Sequence, residues 1–205
     1  MKSKKTEIAR HYPREVKVGG TAVKLRYMNA ADGKAALEFA RALPIHDLLF
    51  LRRDITHPEV IDNWVSGIDR GRSVTVIAER DGAVQGYGIV DRGDLSWSPH
   101  VAELRVMVAP AMRGKGLGQV LTQEAFAIAL GLGIEKIVAQ MTVDQKGAIT
   151  VFQGMGFRPE ALLRDHVKDR EGKKHDLLIL AHDVAKFQAQ MEALGIARAL
   201  GDESE

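Results

Sequence analysis

Residues 106–118 read Val106-Met107-Val108-Ala109-Pro110-Ala111-Met112-Arg113-Gly114-Lys115-Gly116-Leu117-Gly118. The stretch is an apolar strand end and a proline, followed by three glycines interleaved with two cations and the start of a helix. Glycines carry no Cβ, so successive backbone N–H groups can turn inward around an anion. The helix that follows adds its unpaired first amides and the positive end of its dipole. It carries Leu117, Leu121, Ala125, Ile128 and Leu132 at helical spacing and is closed by Gly131 and Gly133. Together these features suit a phosphate or pyrophosphate.

Two familiar phosphate loops fail at specific residues. A Walker A loop needs Ser or Thr after its Gly-Lys pair, and Lys115 is followed by Gly116. A dinucleotide fingerprint needs glycine or alanine where Gln119 stands, and its loop follows the strand directly. Here Pro110 to Arg113 intervene.

Outward from this loop, Val101 to Val108 alternates, with Ala102, Leu104, Val106 and Val108 on one face and Glu103, Arg105 and Met107 on the other. Ile134 to Thr142 is the strand after the helix, Ala148 to Met155 a short helix stopped by Gly156, and Phe157–Leu163 with Asp176–Ala181 two strands around a turn at 169–172. Upstream, residues 16–28 form a hairpin through Gly19-Gly20, and Val74–Ala78 pairs with Val84–Val90 through Asp81-Gly82. Between the hairpins the pattern is helical, broken at Pro44 and Pro58, with a second helix starting at His57-Pro58. The expected fold is mixed α/β: a mostly antiparallel sheet of about seven strands, one parallel pair and flanking helices.

The 205 residues suit one domain, read as a tail over 1–15, a domain over 16–183 and a helix with an acidic tail over 184–205. The chain has no cysteine, which excludes disulfides, thiolate metal sites and a cysteine nucleophile. Lys and Arg number 29 against 27 Asp and Glu, too small an excess to argue for nucleic acid. No apolar run approaches the roughly 20 residues of a membrane span, and no apolar region follows the basic N-terminus, so a soluble, cytoplasmic protein is expected.

The Arg-x-x-Gly-x-Gly pattern of residues 113–118, after Val-x-Val-x-Pro, resembles the acetyl-CoA loop of the GNAT family of N-acetyltransferases. Residues 148–157, Ala-Ile-Thr-Val-Phe-Gln-Gly-Met-Gly-Phe, are similar to the family's second motif. The resemblance covers residues 101–157 by motif and about 22–181 by order of elements. It implies a GNAT-like acyltransferase fold in which the parallel strands splay, and an acetyl-CoA-dependent enzyme. Val106, Met107 and Val108 would then present backbone groups to the pantetheine arm and acetyl carbonyl, and Arg113, Gly114, Lys115, Gly116, Leu117 and Gly118 would wrap the pyrophosphate. Gln145 stands where many members have an asparagine that touches pantetheine. The implied partner is an amine acceptor, small molecule or protein, with no metal, membrane or nucleic acid.

The pattern breaks at Phe152, where the family's usual tyrosine protonates the departing sulfur. Phenylalanine has no proton to give and reads as an apolar wall beside the pantetheine. The loss is bearable because a thiol pKa lies near 8.5 and the thiolate leaves tolerably. A base is still needed, since an ammonium near pKa 10.4 must lose a proton before it attacks. In part of the family a glutamate on the strand before the loop does this, and Glu103 sits at that depth. Its other reading is a same-face pairing with Arg105. Gln140 stands where other members carry a glutamate on the next strand.

His100 and Asp144 are lesser candidates, a loop histidine and a helix N-cap. His166 and His175 with Asp165 and Asp176 flank a hairpin, but none of the seven histidines has a one-turn metal spacing. Ser96 lacks the setting of a catalytic nucleophile. Arg52-Arg53-Asp54 either recognises an anionic acceptor group or ends a solvated helix, and Trp97 either walls the acceptor site or anchors its loop. Val184, Phe187, Met191 and Leu194 form a narrow stripe that packs on its own domain or on a second copy, making a homodimer one of two readings. Three functions remain: the transferase, an acyl-CoA-binding sensor with little or no turnover, and a protein that binds another pyrophosphate such as ATP or NAD.

Overall fold

The computed structural model describes residues 11–48, 51, 53–93, 97–169, 171–186 and 189. Eight strands form one sheet, against about seven expected: β1 Arg14–Val18, β2 Thr21–Tyr27, β3 Ser73–Arg80, β4 Ala83–Asp91, β5 Val101–Val108, β6 Lys136–Thr142, β7 Arg158–Lys168 and β8 Lys174–Asp183. Their order is β1-β2-β3-β4-β5-β6-β8-β7, antiparallel throughout except between β5 and β6. The helices are α1 Gly33–Ala42, α2 Ile45–Leu48, α3 Pro58–Asp69, α4 Leu117–Gly131 and α5 Lys146–Gly154. The four-residue α2 was not anticipated from the pattern. Among the described residues no helix is long and apolar enough to cross a membrane.

The turns follow local chemistry. Asp81 and Gly82 both have positive φ, +52° and +78°, the backbone shape that matches the twist of a two-residue hairpin. Pro58 opens α3 behind His57, because the first helical turn needs no N–H from that residue. Asn29 and Asp32 cap the single turn before α1 reciprocally. Asp32 also accepts two hydrogen bonds from Arg26, at 2.7 and 2.8 Å, while Arg26 Nε donates to Glu79 at 2.7 Å. The Arg26 guanidinium holds the Asp32 carboxyl below the ordinary aspartate range.

Each face of the sheet buries a cluster. On one, Leu25, Val76, Leu104 and Ile137 pack with Leu117, Leu121 and Ala125 of α4 and with Phe152 and Phe157. On the other, Met28, Ile77, Tyr87 and Ile89 pack under Phe39 and Ala40 of α1 and Ile61 of α3. Two glycines of β4 set how closely α4 approaches. A Cβ at Gly86 would lie 2.7 Å from the Met107 carbonyl oxygen, and one at Gly88 would lie 2.9 Å from the Leu121 carbonyl oxygen. At Gly88 the helix backbone itself comes down onto the strand, and the Leu121 and Ala125 side chains pack over the two glycines, which sets the height of α4 above the sheet.

The N-terminal strand is tied to the same helix. Tyr12 donates to Glu124 at 2.6 Å, and Arg14 pairs with the other carboxylate oxygen of that nearly inaccessible side chain. Tyr12 and the first residues of β1 belong to the segment 1–15 that was read as a tail. At the other end the chain turns helical at Val184–Lys186, and Val184 N–H donates to the Glu135 carbonyl at 2.8 Å. Phe187, Met191 and Leu194, the rest of the expected stripe, lie outside the described residues, as do Arg52 and Ser96.

Candidate active site

The parallel pair closes for only three residues. Val101, Ala102 and Glu103 sit opposite Lys136, Ile137 and Val138, and the ladder then stops. β5 nevertheless stays paired with β4 as far as Val108 opposite Gly86, so the strands open into a wedge beyond Glu103. Ala109 N–H donates to the Gln85 carbonyl at 2.8 Å, toward β4. Along a strand successive N–H groups point to opposite edges, so those of Val108 and Val106 point into the wedge.

The glycine-rich loop lies at the end of that opening. Gly114 and Gly116 have φ of +70° and +91°, and a Cβ at either would meet nothing within 4 Å. Glycine is needed there for the turn itself and not for room. Gly118 lies close to Val108, a Cβ on it falling 3.7 Å from the Val108 Cγ2. Leu117, Gly118 and Gln119 precede the first turn bond of α4, made by Val120 N–H to the Gly116 carbonyl at 3.1 Å. Their amides form the open N-terminus on which an anion can sit. Lys115 is exposed, and its stem packs on the β1–β2 turn: a Cβ at Gly19 would fall 2.8 Å from the Lys115 Cβ.

The sequence-derived candidates are placed as follows. Arg113 is ion-paired with Asp47 of α2, and its Nη2 also lies 3.4 Å from the Val108 carbonyl. Gln145 accepts from Thr142 N–H at 3.1 Å and so pins the turn between β6 and α5; it, and not Asp144, is the residue that precedes the helix. Asp144 lies 3.6 Å from His46, and a hydrogen bond with Thr142 holds its carboxyl below the usual range. Phe152 is buried, edge-on to Phe157 at 5.0 Å. His100 is exposed and works through its carbonyl, which receives Glu135 and Lys136 N–H.

Glu103 is largely covered, with 11% of its side chain exposed, and its carboxylate lies 3.2 Å from Arg105 Nε. That is the same-face pairing read from the sequence, and it leaves the residue on the face of β5 away from α4. Arg105 also donates to Asp91 at 2.8 Å. Asp91 is directly opposite Glu103 across the β4–β5 ladder, so one guanidinium spans two carboxylates.

On this face a cavity of about 220 Å³ lies over β3, β4 and β5, lined by Arg53, Arg72, Tyr87, Asp91 and Arg105 with Trp64 and aliphatic side chains. Trp64 stacks edge-on to Tyr87 at 4.7 Å and donates to Thr75 at 3.0 Å. Burial pushes the Tyr87 phenol up to about 12, so it remains an O–H donor at ordinary pH. Of this group the sequence pointed to Arg53 as an acceptor contact and to Arg105 only as a partner of Glu103. Trp97 is 81% exposed and does not line the cavity. On the far hairpin His175 pairs with Asp169 at 2.8 Å, and Asp176 accepts from Asp165 N–H. Among the described residues no three His, Cys, Asp or Glu side chains gather as a metal site would require.

A wedge between parallel strands, ending in a glycine-rich anion loop, is also where the chain's resemblance to known proteins falls. The model of the acetyltransferase (GNAT) family matches residues 35–157, and the chain belongs to that family. It is 30% identical over 130 residues to a Bacillus subtilis (strain 168) protein named "Putative phosphinothricin acetyltransferase YwnH", a match covering 62% of this chain and 78% of that one. Among solved structures it is similar to a ribosomal-protein-alanine N-acetyltransferase from Brucella melitensis, with a TM-score of 0.69, 24% identity and coverage of 78% and 98% of the two chains. A phosphinothricin acetyltransferase from Sinorhizobium meliloti in complex with acetyl-CoA matches with a TM-score of 0.69 at 20% identity, covering 78% and 88%. The fold expected from the sequence, with its splayed parallel pair, is the one observed.

Proposed function

We propose that the protein transfers the acetyl group of acetyl-CoA to a primary amine by direct attack. The observation that carries this reading is the wedge: beyond the last β5–β6 pair Val106 and Val108 turn their N–H groups into it, and the cationic loop stands at its end. The residues present fit the co-substrate. Arg113, Lys115 and the first amides of α4 suit its pyrophosphate, and an open strand edge suits the amides of its pantetheine arm. The solved relative with acetyl-CoA bound supports the same assignment.

In this reading the amine nitrogen attacks the thioester carbonyl, a C–N bond forms, and the C–S bond breaks as the tetrahedral intermediate collapses. Val108 N–H meets the oxyanion. Glu103 accepts the proton lost by the amine, held in place by Arg105. CoA leaves as the thiolate, because Phe152 offers no proton. The similar proteins are named for a small-molecule and for a protein acceptor, so the family alone does not choose between them.

Calorimetric titration with acetyl-CoA tests the reading, repeated on Gly116→Glu, which places a side chain and a negative charge in the loop. Wild type is expected to bind at micromolar level and the variant not to bind. Equal binding by both, or by neither, would sink it. Phe152 favours a second reading, an acyl-CoA sensor, distinguished by tight binding with no thiol release from any amine.

A further inference from the structure

The N-terminal hairpin meets the glycine-rich loop and its helix at three points. Residues 113–116 are all exposed, between the buried Met112 and Leu117, so the loop draws its position from what touches it. At Lys115 that is the β1–β2 turn. A Cβ built on Gly19 would fall 2.8 Å from the Lys115 Cβ, 2.9 Å from its Cγ and 3.3 Å from its Cα. The Lys115 stem therefore occupies the space that any other residue at 19 would fill, and a φ of +53° is a second reason for glycine there. With the stem seated, the ammonium beyond it swings over a narrower arc, and less freedom is lost when an anion binds.

Deeper in the helix the contact is polar. Tyr12 donates to Glu124 at 2.6 Å and Arg14 pairs with its other oxygen, on a side chain only 2% exposed. Drawing β1 away would strip both partners from a carboxylate shut off from water, which is costly. Between the two ends Val16 and Val18 pack in the same cluster as Leu117, Leu121 and Ala125. The lengths agree: Arg14 to Val18 spans about 13 Å of strand, and Leu117 to Glu124 about 10 Å of helix. β1 thus runs along the opening turns of α4, from its buried acid to the loop that precedes it.

We infer that the β1–β2 hairpin is a working part of the co-substrate site, with Gly19, Tyr12 and Arg14 as positioning residues. Gly19 seats the Lys115 stem beside the diphosphate, and the Tyr12–Glu124–Arg14 group keeps the first amides of α4 in line with it. This rests on the acetyl-CoA reading and extends the site to a strand that lies outside both of its sequence motifs. Because linkage is reciprocal, acetyl-CoA stabilises the hairpin as much as the hairpin favours acetyl-CoA.

The test starts on the unmodified full chain, by hydrogen exchange followed with mass spectrometry, with and without saturating acetyl-CoA. Amides of residues 16–24 are expected to exchange at least about threefold more slowly in the complex, while those of α3, on the other face of the sheet, change less. Calorimetry then reads acetyl-CoA affinity beside the melting temperature. Tyr12→Phe removes one hydrogen bond and is expected to weaken binding about two- to fivefold. A purely structural role would lower the melting temperature and leave the affinity of the folded protein where it was. Gly19→Ala is expected to weaken binding about tenfold on its own but less than about twofold on top of Lys115→Gly, which removes the Cβ and Cγ it strikes. The inference is overturned if the hairpin exchanges equally fast with and without acetyl-CoA, if Tyr12→Phe and Gly19→Ala lower the melting temperature without moving the affinity, or if Gly19→Ala and Lys115→Gly lose affinity additively. Should Gly19→Ala fail to fold, hydrogen exchange and Tyr12→Phe decide. No binding of acetyl-CoA by the unmodified chain is a different result and removes the acetyl-CoA reading instead.

Discussion

Asp47 of α2 holds the guanidinium of Arg113, the leading cation of the glycine-rich loop, while its neighbour His46 lies 3.6 Å from Asp144 beyond the end of β6. A single helical turn therefore reaches both lips of the wedge. In the proposed function a diphosphate bound on the loop would compete with Asp47 for the same guanidinium.

Asp47→Asn removes that competitor and should tighten acetyl-CoA binding about two- to fivefold, the range of one partly exposed ion pair. Arg113→Gln should weaken it. Calorimetry on both variants checks the pair, and a weaker complex with Asp47→Asn would show that Asp47 supports the loop instead of restraining it.

Glu103→Gln keeps the shape of the side chain but cannot take a proton. It should lower kcat on the order of 10²-fold or more, with acetyl-CoA affinity unchanged. Thiol release followed from pH 6 to 9 is the measurement, and an unaltered profile would take Glu103 out of the mechanism.

Gly19 is remote in sequence from the loop but touches it. At φ +53° and with its Cβ site 2.8 Å from the Lys115 Cβ, Gly19→Ala should strain the turn and displace Lys115. Loss of acetyl-CoA affinity exceeding the effect of Gly20→Ala, whose Cβ meets nothing within 4 Å, would confirm the contact.

Asp32 has its carboxyl held below the ordinary value by Arg26, so its contribution to stability is present above that ordinary value, about 3.9. It is lost as pH falls through the lower folded-state value. Asp32→Asn should cost about 1–3 kcal/mol near neutral pH and flatten the acid limb of the stability curve. Chemical denaturation at pH 7 and in steps below pH 4 reads both effects.

Where one segment makes the signal, the sequence shows it. Val101–Val108 begins and ends where the pattern places it, and α4 starts one residue after Gly116 because that glycine takes the left-handed turn. The hairpin of β7 and β8 runs beyond Leu163, where Arg164 to Lys168 offers only Val167 as an apolar residue and is shaped by cross-strand pairing around a bulge, so alternation does not register there. α2 is a single turn, too short for periodicity to register. Arg53, Arg72 and Arg105 converge only after the sheet is assembled, so no window along the chain contains their cluster.

A sheet ordinarily has two margins to guard against pairing with foreign strands, and here these are β1 and β7. The early end of the β5–β6 ladder gives this one a third, in its interior, where among the described residues β5 has no strand partner on its β6 side beyond Glu103. Lysines, prolines and bulges, the usual protections of a margin, would spoil this one for a ligand that must lie along it. What stands across it is the α2 turn, gripping Arg113 on one side and beside Asp144 on the other. Four residues thus separate a receptive groove from an aggregation-prone seam, and a mutation that loosens them would show first in the protein's solubility when no ligand fills the groove.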